Sequence, residues 1–158
     1  MFSCGIGYDV HRLVEGCPLV LGGVTIEHPF GLEGHSDADV LCHAIADAVL
    51  GAAGEPDIGH YFPNTDENIR GINSLEIVRR VRQIVVDKGA TILNIDSTLV
   101  SEAPKIAPHL AAMKQLLADA LGLPVNRVGI KATTNETMGF LGRREGIAAM
   151  AVAALDRP

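Results

Sequence analysis

The chain is predicted to be α/β (α+β), because period-two, strand-like stretches and capped, helix-period stretches interleave along its length. Its 158 residues suit one domain, and no low-complexity linker or internal repeat divides them. With 47% hydrophobic residues, only 4% aromatic and no Trp, the core is expected to be aliphatic. Residues 1–158 are therefore read as a single domain.

"CGIGYDVHRL" and "CPLVLGGVTIEH" predict two short strands joined by a turn at Gly16. Ser36 is placed to N-cap a helix, with Asp39 three residues later, and "DVLCHAIADAVLGAAG" follows as that helix. The segment from Gly54 to Gly71 is rich in Pro, Gly, Asn and Asp, and a loop of that length is more often functional than filler. Asn73 and Glu76 form a capping-box pattern opening a second helix, "LEIVRRVRQIVVDKG", which ends at Gly89. "TILNIDSTLV" alternates like a strand, "PKIAPHLAAMKQLLADALGLP" reads as a third helix stopped by Gly122 and Pro124, and "RVGIKATT" reads as a strand. "GIAAMAVAAL" is ambiguous: Ala favours a helix, while its position after a Gly-rich turn suits a strand.

Composition narrows the function classes. A formal charge of −6 argues against a broad nucleic-acid surface, although the thirteen Lys and Arg could serve a local phosphate site. No apolar run approaches the roughly 20 residues that span a bilayer, so no membrane partner is expected. No basic stretch followed by an apolar one opens the chain, so no signal peptide is expected. Cys4, Cys17 and Cys42 are odd in number and lack CxxC spacing, which suits a reducing, cytoplasmic setting.

Asp9 and His11 stand two apart on a predicted strand, so both side chains emerge on one face and can converge on a single ion. A surface Asp and a strand His sharing a hydrogen bond would look the same. On the first helix, His43 has Asp39 and Asp47 one turn away on either side, the arrangement in which a carboxylate orients a ligating imidazole. Helix-dipole complementarity explains Asp37 and Asp39 but not His43 or Asp47. Asp9, His11 and His43 together give the three protein ligands of an open catalytic zinc site. Cys42 lies about 100° around the helix from His43 and is read as core. His35 and Ser36 precede the helix, where backbone N–H groups suit a phosphate. "KATTNETMGF" places Lys131, Thr133 and Thr134 at a strand end, and Glu136 could hold Mg²⁺ against phosphate oxygens. Arg143 and Arg144 are either phosphate contacts or a solvated turn.

The ordered set "GYDVHR", "LGG", "HSDADVLCHAIADAVLGA", "DIGHYFPNTD", "APK", "KATTNE" and "GRREGIA" resembles the 2-C-methyl-D-erythritol 2,4-cyclodiphosphate synthase family of non-mevalonate isoprenoid synthesis. The resemblance runs from residue 7 to residue 148. It departs at Asn64, where the family commonly has Asp, and at Arg144, where Gly is frequent.

The resemblance implies one Zn²⁺ per subunit on Asp9, His11 and His43, and a second divalent cation, Mg²⁺ or Mn²⁺, on Glu136. It implies His35 and Thr134 as transition-state stabilisers. Substrate contacts would come from Ser36, from Asp57, Ile58 and Gly59 at the ribose, and from Phe62, Pro63, Asn64, Thr65 and Asp66 around the methylerythritol. Ala103, Pro104, Lys105 and Ile106 would hold the cytidine, with Thr133, Phe140 and Arg143 as further contacts. The expected reaction joins the 2-phosphate of a cytidine diphosphate ester to its own β-phosphorus and expels CMP. The expected architecture is a mixed sheet with helices on one face, assembled as a homotrimer with active sites at subunit interfaces, and it favours a strand for "GIAAMAVAAL". Two rivals use the same residues. A zinc phosphoester hydrolase would cast Glu136 or His35 as the base for an activated water. A non-catalytic nucleotide-binding protein would use the zinc structurally, but such sites usually have four protein ligands and only three are found.

Overall fold

Strand β1 (Phe2–Glu15) organises the molecule: it pairs antiparallel along Phe2–Arg12 with β7 (Gly146–Asp156) and at Leu13–Glu15 with β4 (Phe30–Leu32). The computed structural model describes residues 1–158. On the far side of β7 lies β5 (Thr91–Val100), antiparallel to it, and β6 (Val128–Thr133) completes the sheet parallel to β5, in the order β4-β1-β7-β5-β6. "GIAAMAVAAL" is thus the central strand; extended, it buries Ile147, Ala149, Ala151 and Ala153 against the helices.

Helices α1 (Val40–Ala53), α3 (Ser74–Asp87) and α4 (Leu110–Leu121) lie on one face of the sheet. α1 is the most buried, which its Ala-rich sequence permits because small side chains let it approach the strands closely. Gly5 and Gly7 complete that approach. A Cβ on Gly7 would collide with the Ala44 carbonyl oxygen, and one on Gly5 with backbone atoms of Ala48 and Ala52. Cys42 is fully buried, as its helical position predicts. No helix is long and apolar enough to cross a membrane.

Several boundaries differ from expectation. The second predicted strand is a hairpin of β2 (Leu19–Leu21) and β3 (Val24–Ile26), turned at Gly22 and Gly23, whose φ values of 56° and 79° are those a tight primed turn needs. The N-cap of α1 is Asp39, not Ser36, because Ala38 sits at φ 57° and breaks the helical path between them. The Asp39 carboxylate accepts the Cys42 N–H at 3.1 Å. Asn73 does cap α3, accepting the Leu75 N–H at 2.9 Å, but Glu76 turns outward to Arg79 and Arg80 rather than closing the box. The third helix begins at Leu110 rather than Pro104, since Pro108 falls in a 3-10 turn (Ala107–His109) just ahead of it. Within the Gly54–Gly71 loop a short helix α2 (Ile58–Tyr61), capped by Asp57, and a 3-10 turn (Glu67–Ile69), capped by Asp66, supply local order.

The other face of the sheet carries none of α1, α3 and α4; only a short helix, α5 (Gly139–Gly142), packs Leu141 against Val100 and Ala148 at one end of it. Ile6, Tyr8 and Val10 of β1 and Met150 and Val152 of β7 stand exposed there, Ile6 to 73%.

Candidate metal centre and active site

Asp9 and His11 sit on the helix-covered face of β1, and the tight packing of α1 over Gly7 brings His43 down beside them. Asp9 Oδ2 lies 3.0 Å from His11 Nε2 and 3.0 Å from His43 Nδ1, and the two nitrogens are 3.3 Å apart. These donor atoms form a group able to hold a metal ion. Tetrahedral ligands with bonds of about 2.0–2.1 Å stand about 3.3 Å from one another, so the spacing suits a zinc-sized ion, and one carboxylate with two imidazoles is a usual donor set. Burial would raise the Asp9 carboxyl, but hydrogen bonds from His11 and His43 hold it well below the usual carboxylate range. For His11, burial acts downward and is outweighed by its bond to Asp9, so the imidazole shifts up.

Each imidazole is held from behind. His11 Nδ1 donates to the Glu33 carbonyl at 2.8 Å, leaving Nε2 for the cluster. His43 Nε2 faces the hydroxyls of Ser74 at 3.0 Å and Ser36 at 3.1 Å. Neither carboxylate flanking His43 in sequence plays that part. Asp47 accepts the Ile58 N–H at 2.8 Å and so anchors α2, while Asp39 binds Gly22, Gly23 and Cys42. Ser74 and Asp37, which sequence reasoning missed in this role, lie 31 and 6 positions from His43, and only the pairing of α3 with the α1 entry reveals them.

A cleft of about 380 Å³ opens onto the cluster, lined by Asp9, His11, His43, His35, Ser36, Ile58, Gly59, Phe62 and Asn64 among others. His35 Nε2 contacts the Asp66 carbonyl at 3.3 Å, tying the helix entry to the loop. Asp57 and Asp66 serve as caps of the loop's two turns, and Pro63 and Thr65 are exposed beside them.

The remaining predicted contacts gather elsewhere. Pro104, Lys105, Ile106, Thr133 and Thr134 line a separate depression of about 210 Å³ that shares no residue with the first, and Ala103 precedes its cis-proline. Val10, Ala148, Val100 and Thr133 are successive partners across the sheet, so β1 and the end of β6 are three strand spacings, about 14 Å, apart. Glu136 accepts a bond from the Thr134 hydroxyl at 3.2 Å and sits at φ 51°, with Thr137 at φ 60°. Glu102 steadies that strained turn by accepting the Asn135 N–H at 2.7 Å, another contact not foreseen from sequence. Lys131 does not join the threonines; it pairs with Asp96 on the uncovered face of the sheet. Phe140 lines a third hollow with Val10 and Arg12, and Arg143 pairs with Glu145 at 2.7 Å. Arg144 has φ 60°, which is why Gly suits that position.

Comparison with known proteins adds the following. The model of the YgbB family matches residues 2–156. The 2-C-methyl-D-erythritol 2,4-cyclodiphosphate synthase of Synechococcus elongatus is 58% identical over 156 residues, covering 99% of this chain and 98% of its own. A solved 2C-methyl-D-erythritol-2,4-cyclodiphosphate synthase with bound CDP superposes with a TM-score of 0.89 at 38% identity, covering 97% of this chain and 99% of that one. The bifunctional IspDF of Campylobacter jejuni matches at TM-score 0.95 and 40% identity over 100% of this chain, which spans only 43% of that longer protein.

Proposed function

The chain belongs to the YgbB family, that of the 2-C-methyl-D-erythritol 2,4-cyclodiphosphate synthases, and from that premise we infer its reaction and the work of its residues. The enzyme is a lyase that converts 4-diphosphocytidyl-2-C-methyl-D-erythritol 2-phosphate into 2-C-methyl-D-erythritol 2,4-cyclodiphosphate and CMP, a step of isoprenoid precursor synthesis. A 2-phosphate oxygen attacks the β-phosphorus, and the bond from that phosphorus to the bridging oxygen of CMP breaks. The nucleophile belongs to the substrate, so the protein needs no serine, cysteine or activated water. It must fold a polyanion back on itself.

The observation that carries this reading is the convergence of Asp9, His11 and His43 at 3.0–3.3 Å inside a cleft that also holds His35 and Ser36. We assign Asp9, His11 and His43 to one Zn²⁺ and Glu136 to a second ion, Mg²⁺ or Mn²⁺. When bound, these cations neutralise phosphate oxygens and stabilise charge on the leaving CMP. His35 and Thr134 donate to the reacting phosphates from either side. Asp57, Ile58 and Gly59 orient the ribose, and Phe62 to Asp66 enclose the methylerythritol. Ala103 to Ile106 hold the cytidine, with Ser36, Thr133, Phe140 and Arg143 as further substrate contacts. Holding attacker and phosphorus in register converts the closure into a favoured intramolecular event. Residues 1–158 act as one domain, in the cytoplasm, where Cys4, Cys17 and Cys42 stay reduced.

His35 and Thr134 must act on one diphosphate, yet within one chain their walls share no residue and are separated by three strand spacings across the sheet. A homotrimer resolves this: the uncovered apolar face of each sheet turns inward, and each site takes its zinc wall from one subunit and its cytidine wall from the next. His11→Ala and Lys105→Glu, each inactive alone, are then expected to regain activity when denatured together and refolded, with about a quarter of sites intact after random mixing in a closed ring. Both must first be shown to trimerise alone; no recovery from well-mixed trimers would place both walls in one subunit.

The test of the reaction is incubation with the cytidine diphosphate substrate, following CMP release and the cyclic diphosphate by phosphorus NMR. Solvent oxygen in the products would instead mark a hydrolase. Glu136→Gln is expected to retain zinc while losing its response to added Mg²⁺ or Mn²⁺, with sharply lower turnover. A metal titration of activity matching the parent would remove Glu136 from the second ion site.

A further inference from the structure

Two hydroxyls meet the outer nitrogen of His43, and only one of them has its proton committed. Ser74 is fully buried, and its hydroxyl donates to Asp37 Oδ1, while Asp37 Oδ2 accepts the Ser74 backbone N–H at 3.0 Å. Asp37 is itself fixed, donating its N–H to the Ile72 carbonyl at 3.1 Å and accepting the Asp39 N–H at 3.2 Å. With its proton given to Asp37, Ser74 can offer the imidazole only lone pairs, so across the 3.0 Å contact it accepts from His43 Nε2–H. That polarity leaves Nδ1 bare on the side of Asp9 and His11. Ser36 differs. Its oxygen lies 3.1 Å from the same Nε2 and accepts the Ala38 N–H at 3.1 Å, but its own proton meets nothing closer than the Ser74 oxygen at 3.4 Å, and it lines the cleft.

We propose that Ser74, locked by Asp37, positions His43 as an Nδ1 metal ligand and satisfies Nε2 by itself, which leaves Ser36, the substrate contact assigned above, free of that task. Ser74 and Asp37 are positioning residues acting through the imidazole. Because Ser74 alone satisfies Nε2, the Ser36 hydroxyl can swing to the substrate without releasing the ligand. The proposal rests on the cyclodiphosphate synthase reading for the identity of the ion and of the diphosphate.

The experiment measures two affinities on the full chain: zinc by competition with a chromophoric chelator, and CDP by calorimetry on the zinc-loaded protein. Ser74→Ala and Asp37→Ala are expected to weaken zinc roughly 10–100-fold, the usual cost of removing a partner behind a metal-bound imidazole. Ser36→Ala is expected to keep the parent's zinc affinity and to bind CDP more weakly. Circular dichroism and thermal melting of the metal-free variants establish that each is folded. Should Ser74→Ala fail to fold, Asp37→Ala leaves the buried hydroxyl in place and reads the same relay. Parental zinc affinity in the folded variants of Ser74 and Asp37 overturns the proposal, as does an equal zinc loss in Ser36→Ala. A parent that binds zinc but releases no CMP defeats the reaction assigned above and leaves the zinc comparison intact.

Discussion

Replacing His43 with Ala is expected to strip the protein of the zinc assigned above and to cut turnover by roughly a thousandfold or more while the chain stays folded. Asp9 and His11 would remain as two donors 3.0 Å apart, below the three protein ligands that catalytic zinc sites use. Charge stabilisation by a bound metal is worth several kcal/mol, and about 4 kcal/mol corresponds to three powers of ten in rate. Folding should survive because Ala is the best helix former, and the neighbours of His43 on α1 are held by an aliphatic core that does not pass through the imidazole. Metal content by mass spectrometry, circular dichroism and CMP release give the three readouts. A folded variant with full zinc and full turnover would take His43 out of the centre.

The second large effect falls on stability. Asp39 is fully buried, and its carboxylate accepts N–H bonds from Gly22 at 2.9 Å, Gly23 at 2.7 Å and Cys42 at 3.1 Å, with the Cys42 thiol donating at 3.2 Å. It therefore caps α1 and pins the β2–β3 hairpin to the same helix end. Asp39→Ala removes the acceptor of three backbone donors at once. A lost cap alone costs about 0.5–2 kcal/mol, and each stranded buried donor about 1–3 kcal/mol. Allowing for partial relaxation, a loss of roughly 3–5 kcal/mol is expected, or a fall in Tm of about 10 °C or more for a chain of this size. Asp39→Asn, which keeps one acceptor oxygen, should lie between Ala and the parent. A melting curve for Asp39→Ala that overlays the parent's would show that the hairpin and helix are held by other means.

Local chemistry made part of this legible. The period-two pair Asp9 and His11 and the helical His43 could be picked because strand and helix periods fix which side chains share a face. Asn73 announced α3 because its capping bond spans two residues. Where a side chain had two local readings, sequence could not choose. Ser36 and Asp39 both suit an N-cap, and the choice fell to Asp39 because the hairpin glycines donate to it from 16 and 17 residues away. Asp47 has the right spacing to orient His43, but the start of α2 claims its carboxylate first. Ser74 left no mark at all: its partners His43 and Asp37 come from an element more than 30 residues earlier. The family resemblance named Thr134 and Lys105 beside the zinc ligands, yet nothing in the chain's own periodicity tells that these walls stand about 14 Å apart across the sheet.

The bare backbones of Gly5 and Gly7 under α1 set limits on how this sequence can drift. Most of the core is aliphatic, and such residues can exchange methyl groups among themselves while neighbouring rotamers absorb the change. The seam between β1 and α1 has no such cushion: it is main chain resting on main chain, with the Ala44 carbonyl seated where a side chain would otherwise stand. The distance between the strand that carries Asp9 and the helix that carries His43 is therefore gauged by peptide groups, which have no alternative shapes to adopt. Variation elsewhere in the interior can accumulate without altering that gauge. A single methyl group at either glycine would reset it for the whole metal centre.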